Sequence, residues 1–131
     1  MGTVPLLTDE EASADALAVF NEIRELRGTD YVNNFWRALA HDPALLRATW
    51  DRLKPVMAPG ALDPLVKEML YVAVSIANNC DYCIHSHTAS ARAKGMTPEM
   101  YGELLAVVGM ASQTNALANG MKVPVDDMFK A

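Results

Sequence analysis

Apolar positions along the chain recur at intervals of three and four residues and nowhere alternate with polar ones, which predicts helices throughout and no strand. Thr8-Asp-Glu-Glu11 is a capping box, and Ala14, Leu17, Ala18, Ile23 and Leu26 follow at helical spacing until Gly28 supplies a stop. Val32 to Ala40 predicts a short second helix with Phe35, Trp36 and Leu39 turned inward. Asp42-Pro43 reads as N-cap and first-turn proline of a third helix, which ends before Ala58-Pro59-Gly60. Asp63-Pro64 repeats that start signal. The fourth helix then carries Leu65, Met69, Val72, Ala73 and Ile76 on one stripe, with Glu68 at its edge, and stops at Asn78-Asn79. A fifth helix runs from about Cys80 to Lys94 and closes at Gly95. Thr97-Pro98-Glu99 caps a long sixth helix through Ala118, with Gly120 as its terminal glycine. The expected class is all-α, about six helices.

At 131 residues the pattern fits one domain over 1–131, large enough to bury a core. Apolar residues are 51% of the chain and charged ones 21%, a globular balance. The formal charge of -5 argues against nucleic acid or an anionic membrane as partner. No stretch is long and apolar enough to span a bilayer, no secretory signal is visible, and Leu6 stands where a myristoylation motif needs Ser or Thr. A cytoplasmic protein is the expectation. Met57, Met69, Met96, Met100, Met110, Met121 and Met128 fall at positions that suit core or interface filler. The run Leu104 to Ala111 is too apolar for a lone exposed helix and is expected to be buried or packed on another subunit.

The chemistry concentrates in Cys80-Asp-Tyr-Cys83-Ile-His-Ser-His87, which holds the chain's only two cysteines. In a reducing compartment such a pair points to catalysis or metal binding rather than to a structural staple. With Asn79 as cap, Cys80 falls in the first turn of the fifth helix, where unpaired amides and the helix dipole favour thiolate. Cys80 and Cys83 share a face, as do Cys83 and His87, so one strip reads thiol, thiol, imidazole. His87 is placed to take a proton from Cys83. Glu68, twelve residues before Cys80, lies where two crossing helices bring its carboxylate near the sulfurs, and an apolar setting is expected to raise its pKa and make it a proton relay. A thiolate of such a pair attacks a peroxide oxygen to give a sulfenic acid, which the neighbouring thiol converts to a disulfide.

Other readings of the same residues stand beside this one. Two cysteines also serve as plain core residues. A zinc site on Cys80, Cys83 and His87 lacks a second Cys/His pair, because His41 is distant and His85 points to another side of the helix. Glu68 alone reads as a solvated helix charge, and His41 as a loop residue. His85, one turn from Tyr82, is kept as a weaker candidate with that tyrosine. No metal and no cofactor is expected.

Glu68-x11-Cys80-x2-Cys83-x3-His87, inside Leu65 to Thr88, resembles the AhpD-like alkylhydroperoxidase family of the carboxymuconolactone decarboxylase superfamily. The likeness extends forward to Ala-Leu-Ala-His41-Asp-Pro43 and back to Asn115 through Pro124, nearly the whole chain. It implies an all-helical fold that assembles into trimers or hexamers. It also implies a peroxidase acting on small organic hydroperoxides and reset by a thiol or dithiol reductant. Cys83 is then the attacking thiol, Cys80 the more exposed resolving thiol, and Glu68 with His87 the proton relay. One departure matters: Tyr82 stands where the best-studied branch has a histidine, which shortens the relay or passes its role to His85 or the tyrosine hydroxyl. Two other functions follow from different weights on the same residues. One is a decarboxylase using His87 and Glu68 as acid and base. The other is a non-enzymatic redox sensor or adaptor whose disulfide alters assembly.

Overall fold

A computed structural model describes residues 2–130 as six α-helices and one short 3₁₀ turn, with no strand among the described residues. The helices are α1 (Ala14–Arg27), α2 (Asn34–Leu39), α3 (Pro43–Met57), α4 (Pro64–Ala77), α5 (Asp81–Ala93) and α6 (Pro98–Met121), followed by the turn Asp127–Phe129. The all-α expectation and the number of helices hold. Two compact units emerge, one up to Ala58 and one from Pro59. No helix among the described residues is long and apolar enough to cross a membrane.

In the first unit α1 packs on α3, and α2 on α3. Val19, Phe20 and Ile23 of α1 are fully buried with Leu46 and Trp50 of α3 and Trp36 of α2. The two indoles meet edge to face, with ring centroids 5.4 Å apart. Asp9 ties the N-terminal segment to this core by ion pairs to Arg24 at 2.8 Å and Arg37 at 3.1 Å. Those cations hold its carboxyl below the usual aspartate range, the Arg24 hydrogen bond most of all.

Two expectations here need correcting. The Thr8–Glu11 box forms, with the Thr8 amide donating to Glu11 at 2.9 Å, but it closes a separate turn. Ser13 caps α1 instead, its hydroxyl accepting from Ala16. Phe35 is exposed while Trp36 is buried: α2 is too short to turn three aromatic or aliphatic residues onto one face.

In the second unit α4 packs against both α5 and α6. Asp63 and Thr97 cap α4 and α6 as expected, each followed by a first-turn proline. The end of α6 differs from expectation. Gly120 lies inside the helix, and Lys122 takes the left-handed position at φ 49°. The amides of Lys122 and Val123 then satisfy the carbonyls of Asn119 and Ala118. Within the chain Leu104 is the one buried residue of α6, while Leu105, Val107, Met110, Leu117 and Met121 are exposed. Its apolar run is therefore not core of this chain. A shallow apolar groove of about 450 Å³ runs between α4 and α6, lined by Val66, Met69, Leu70, Leu104, Val107 and Val108 among others. Of the methionines named above, Met96 is buried and Met110, Met121 and Met128 are exposed.

Candidate active site

The turn from α4 to α5 is what sets the thiols in place. Helix α4 ends in a motif that needs a left-handed residue, and Asn79 supplies it at φ 57°. The Asn79 amide donates to the Ile76 carbonyl at 3.1 Å, and the Cys80 amide to the Ser75 carbonyl at 2.9 Å. Asn79 is therefore spent on closing α4 and does not cap α5. The cap is Cys80 itself, whose sulfur accepts from the Cys83 amide at 3.3 Å. Cys83, not Cys80, lies in the first turn. Both sulfurs thus sit at the positive end of the α5 dipole, the environment that favours thiolate when the pair is reduced.

Cys80 and Cys83 are joined in a disulfide, with Cα atoms 5.3 Å apart. That separation lies within the ordinary disulfide range, so the bond needs no movement of the backbone. Both residues are half-buried.

His87 follows Cys83 by one turn on the same face of α5. Its Nδ1 lies 2.7 Å from Oε2 of Glu68, which projects from the second turn of α4. Glu68 is more central than its sequence position predicts: together with Val72 and Ser75 it forms the buried face of α4, and its side chain is only 8% exposed. The other oxygen, Oε1, receives Lys94 Nζ from the end of α5 at 3.4 Å. The Tyr71 ring, one turn after Glu68, stacks on the imidazole with centroids 3.6 Å apart and planes 19° from parallel.

Burial by itself pushes the Glu68 carboxyl up. The His87 hydrogen bond and charge, then the Lys94 ammonium, outweigh it and leave the group below the usual glutamate range. The expectation of a raised pKa is corrected on this point. An ionised carboxylate is acceptor-only, so Nδ1 carries a hydrogen toward it. The hydrogen bond fixes the orientation of the His87 ring.

The structure thus gathers Cys80, Cys83, His87 and Glu68 at one place. It does not bring His85 there: that ring is 81% exposed and lies 3.7 Å from Asp81 on the solvent side of α5. Tyr82 is also exposed. Among the described residues no cluster of three or more His, Cys, Asp or Glu side chains is arranged to hold a metal ion. Sequence reasoning missed Tyr71 and Lys94. The first lies three residues after Glu68 and the second seven after His87, both helical repeats that place them beside a residue already chosen.

Residues 43–126 match the model of the carboxymuconolactone decarboxylase family. An uncharacterised protein of the cox locus of Paracoccus denitrificans is 36% identical over 69 residues, which are 53% of this chain and 62% of that protein. The chain therefore spans less than two thirds of that relative. An uncharacterised protein of Cupriavidus necator is 32% identical over 77 residues, 58% of this chain and 68% of its own length. Among solved structures, the alkylhydroperoxidase AhpD core of Rhodospirillum rubrum is 58% identical, with a TM-score of 0.95 over 100% of this chain and 98% of that one.

Proposed function

The chain belongs to the carboxymuconolactone decarboxylase family, and from that premise we propose that it is a thiol peroxidase cycling through the Cys80–Cys83 disulfide. The observation that carries this reading is that disulfide, set at a helix N-terminus one turn from a His87 held by a buried Glu68. The 58% identity to a protein described as an alkylhydroperoxidase adds to it.

In the reduced protein Cys83 gives its proton to His87 Nε2 and its thiolate attacks the outer oxygen of a small organic hydroperoxide. The O–O bond breaks, the sulfur is oxidised to a sulfenic acid, and the leaving alkoxide takes the proton from His87 and departs as an alcohol. The Cys80 thiol then condenses with the sulfenic acid, releasing water and forming the disulfide. Two electrons and two protons from an external thiol or dithiol reset the pair. A cytoplasmic setting, where thiols are kept reduced, would supply that reductant. The exposed apolar face of α6 and the groove beside it suit a homo-oligomer, a trimer or hexamer on the family pattern.

The test is a thiol count after one equivalent of cumene hydroperoxide, on wild type and on Cys83→Ser. Loss of both thiols in wild type with little reaction in the variant is the expected result. If both thiols survive in wild type, the reading fails. The alternative within the same family is a decarboxylase in which His87 and Glu68 act as acid and base with the thiols incidental. That enzyme would keep its activity with both cysteines changed to serine, whereas the peroxidase loses it. A redox sensor would instead combine slow peroxide turnover with an oxidation-dependent change in sedimentation.

A further inference from the structure

Helix α5 presents one stripe of positions spaced three or four apart: Cys80, Cys83, His87, Ala91 and Lys94. The stripe runs from the disulfide at the N-terminus to an ammonium group at the C-terminus. Glu68 of α4 meets it between its two basic members. Oε2 accepts from His87 at 2.7 Å, and Oε1 lies 3.4 Å from Lys94 Nζ. Ala91, fully buried, holds the intervening position with a side chain of minimal size.

We propose that Lys94 is a positioning residue of this site: it anchors the second oxygen of Glu68, so that the first stays on His87 Nδ1 and the imidazole keeps its orientation. Two features of the local fold support this. Lys94 is the C-cap residue of α5, and Gly95 follows at φ 106° with its amide on the Arg92 carbonyl. Its backbone is therefore fixed at the helix end while its side chain reaches back to α4. Helix α4 and the two helices packed on it carry other charged or titratable groups: Lys67 and Tyr71 on α4, Asp81, Tyr82, His85 and Arg92 on α5, and Glu99, Tyr101 and Glu103 on α6. The carboxylate oxygens accept from His87 and Lys94. Arg92 instead lies over the Tyr101 ring, 5.5 Å from its centroid, and Glu103 lines the apolar groove with Val66 and Met69.

A cation at a helix C-terminus also favours the dipole, and that role alone would leave Glu68 and His87 untouched. The two roles separate by experiment. The Lys94 side chain is 42% exposed, so its pull on Glu68 is screened by salt and its effect on rate is confined to the acid limb, at most about fivefold.

The kinetic part of the test rests on the peroxidase reading; the spectroscopic part does not. Wild type, Lys94→Met and Lys94→Arg would be compared by carbon-13 titration of the Glu68 carboxyl and by the pH profile of peroxide-driven disulfide formation. The expected result is a Glu68 midpoint moved up in Lys94→Met and restored in Lys94→Arg. The acid limb of the rate should move the same way, while the rate near neutral pH changes little. Raising the salt concentration should shift the wild-type limb toward that of Lys94→Met and leave Lys94→Met itself in place. A Glu68 midpoint that is the same in wild type and Lys94→Met overturns the inference, whatever the kinetics. Wild-type protein that ignores peroxide overturns the peroxidase reading, and the carboxyl titration then decides the role of Lys94 unaided.

Discussion

Removing the charge of Glu68 while keeping its shape probes the site at its most buried point. In Glu68→Gln one amide oxygen can still accept from His87 Nδ1, but the NH2 group then faces the Lys94 ammonium where Oε1 stood. The wild-type contact, 2.7 Å from a carboxylate only 8% exposed, belongs to the charge-assisted class worth about 1.5–3 kcal/mol, against about 0.5–1.5 for a neutral pair. The difference, about 1–1.5 kcal/mol, is a factor of roughly 5–13. That factor is the expected loss in the single-turnover rate at which cumene hydroperoxide consumes the two thiols of the reduced protein. The lost pull of Lys94 adds little, because that side chain is half-exposed.

Stability gives an independent check with a definite sign. The folded Glu68 carboxyl is held below its ordinary value of 4.5, so between the two values the unfolded chain binds more protons than the folded one. Its contribution is therefore present in full above about pH 4.5 and is lost as the pH falls through the folded value. Urea unfolding of Glu68→Gln should accordingly decline less steeply than wild type on the acid side. A folded Glu68→Gln protein that consumes peroxide within twofold of the wild-type rate would refute the orienting role of the carboxylate, and with it the imidazole as proton carrier.

Three further outcomes follow from particular residues. Asn79→Val should cost about 1–2 kcal/mol in urea unfolding, because a β-branched residue resists the left-handed backbone at φ 57°, whereas Asn79→Gly should stay within a few tenths. Equal effects of the two changes would mean that the αL position is not what limits the α4–α5 turn. Trp50→Ala, at a site 1% exposed between α1, α2 and α3, should cost about 3–5 kcal/mol by the same measurement. Val107 is 68% exposed on α6, beside the apolar groove. If a second copy covers it, Val107→Asp should convert the wild-type assembly to smaller species in sedimentation velocity, and an unchanged profile would place the subunit contact elsewhere.

The helices were legible because their boundaries carry local chemistry. Asp42-Pro43, Asp63-Pro64 and Thr97-Pro98 mark starts that the structure keeps, and Gly28 and Gly95 occur with positive φ just past helix ends. The misreadings arose where two residues competed for one role. Thr8 and Ser13 both suit an N-cap, and it is Ser13 that accepts from the first turn of α1. Asn79 suits a cap on either side of the α4–α5 turn, and closing α4 takes it. Gly120 was the obvious helix stop, yet the left-handed position falls two residues later on Lys122, which no propensity rule favours. The charge state of Glu68 was misjudged for a different reason. Burial is visible in an apolar stripe, but the two partners that counter it, His87 and Lys94, come from α5, and Lys94 becomes a neighbour only once the helices cross.

The rest of the site could be read from one sequence for a geometric reason. Every group argued to act lies between Glu68 and Lys94, on two consecutive helices joined by a tight turn. In such a hairpin the distance from the turn sets which residues face each other, so spacing in the chain becomes spacing in the fold. Asn79 and the Cys80–Ser75 hydrogen bond set the pivot, and with it the level at which Glu68 meets His87. The thiols occupy the pivot itself, where the α5 dipole is strongest and where Cys80 caps the helix with its own sulfur. Reduction of the disulfide therefore alters the atom that caps α5, and the Asn79→Val change should disturb the thiol chemistry as well as the fold. Slower peroxide-driven disulfide formation in Asn79→Val than in Asn79→Gly, under conditions where both are folded, is the result this coupling requires; equal rates would separate the turn from the chemistry.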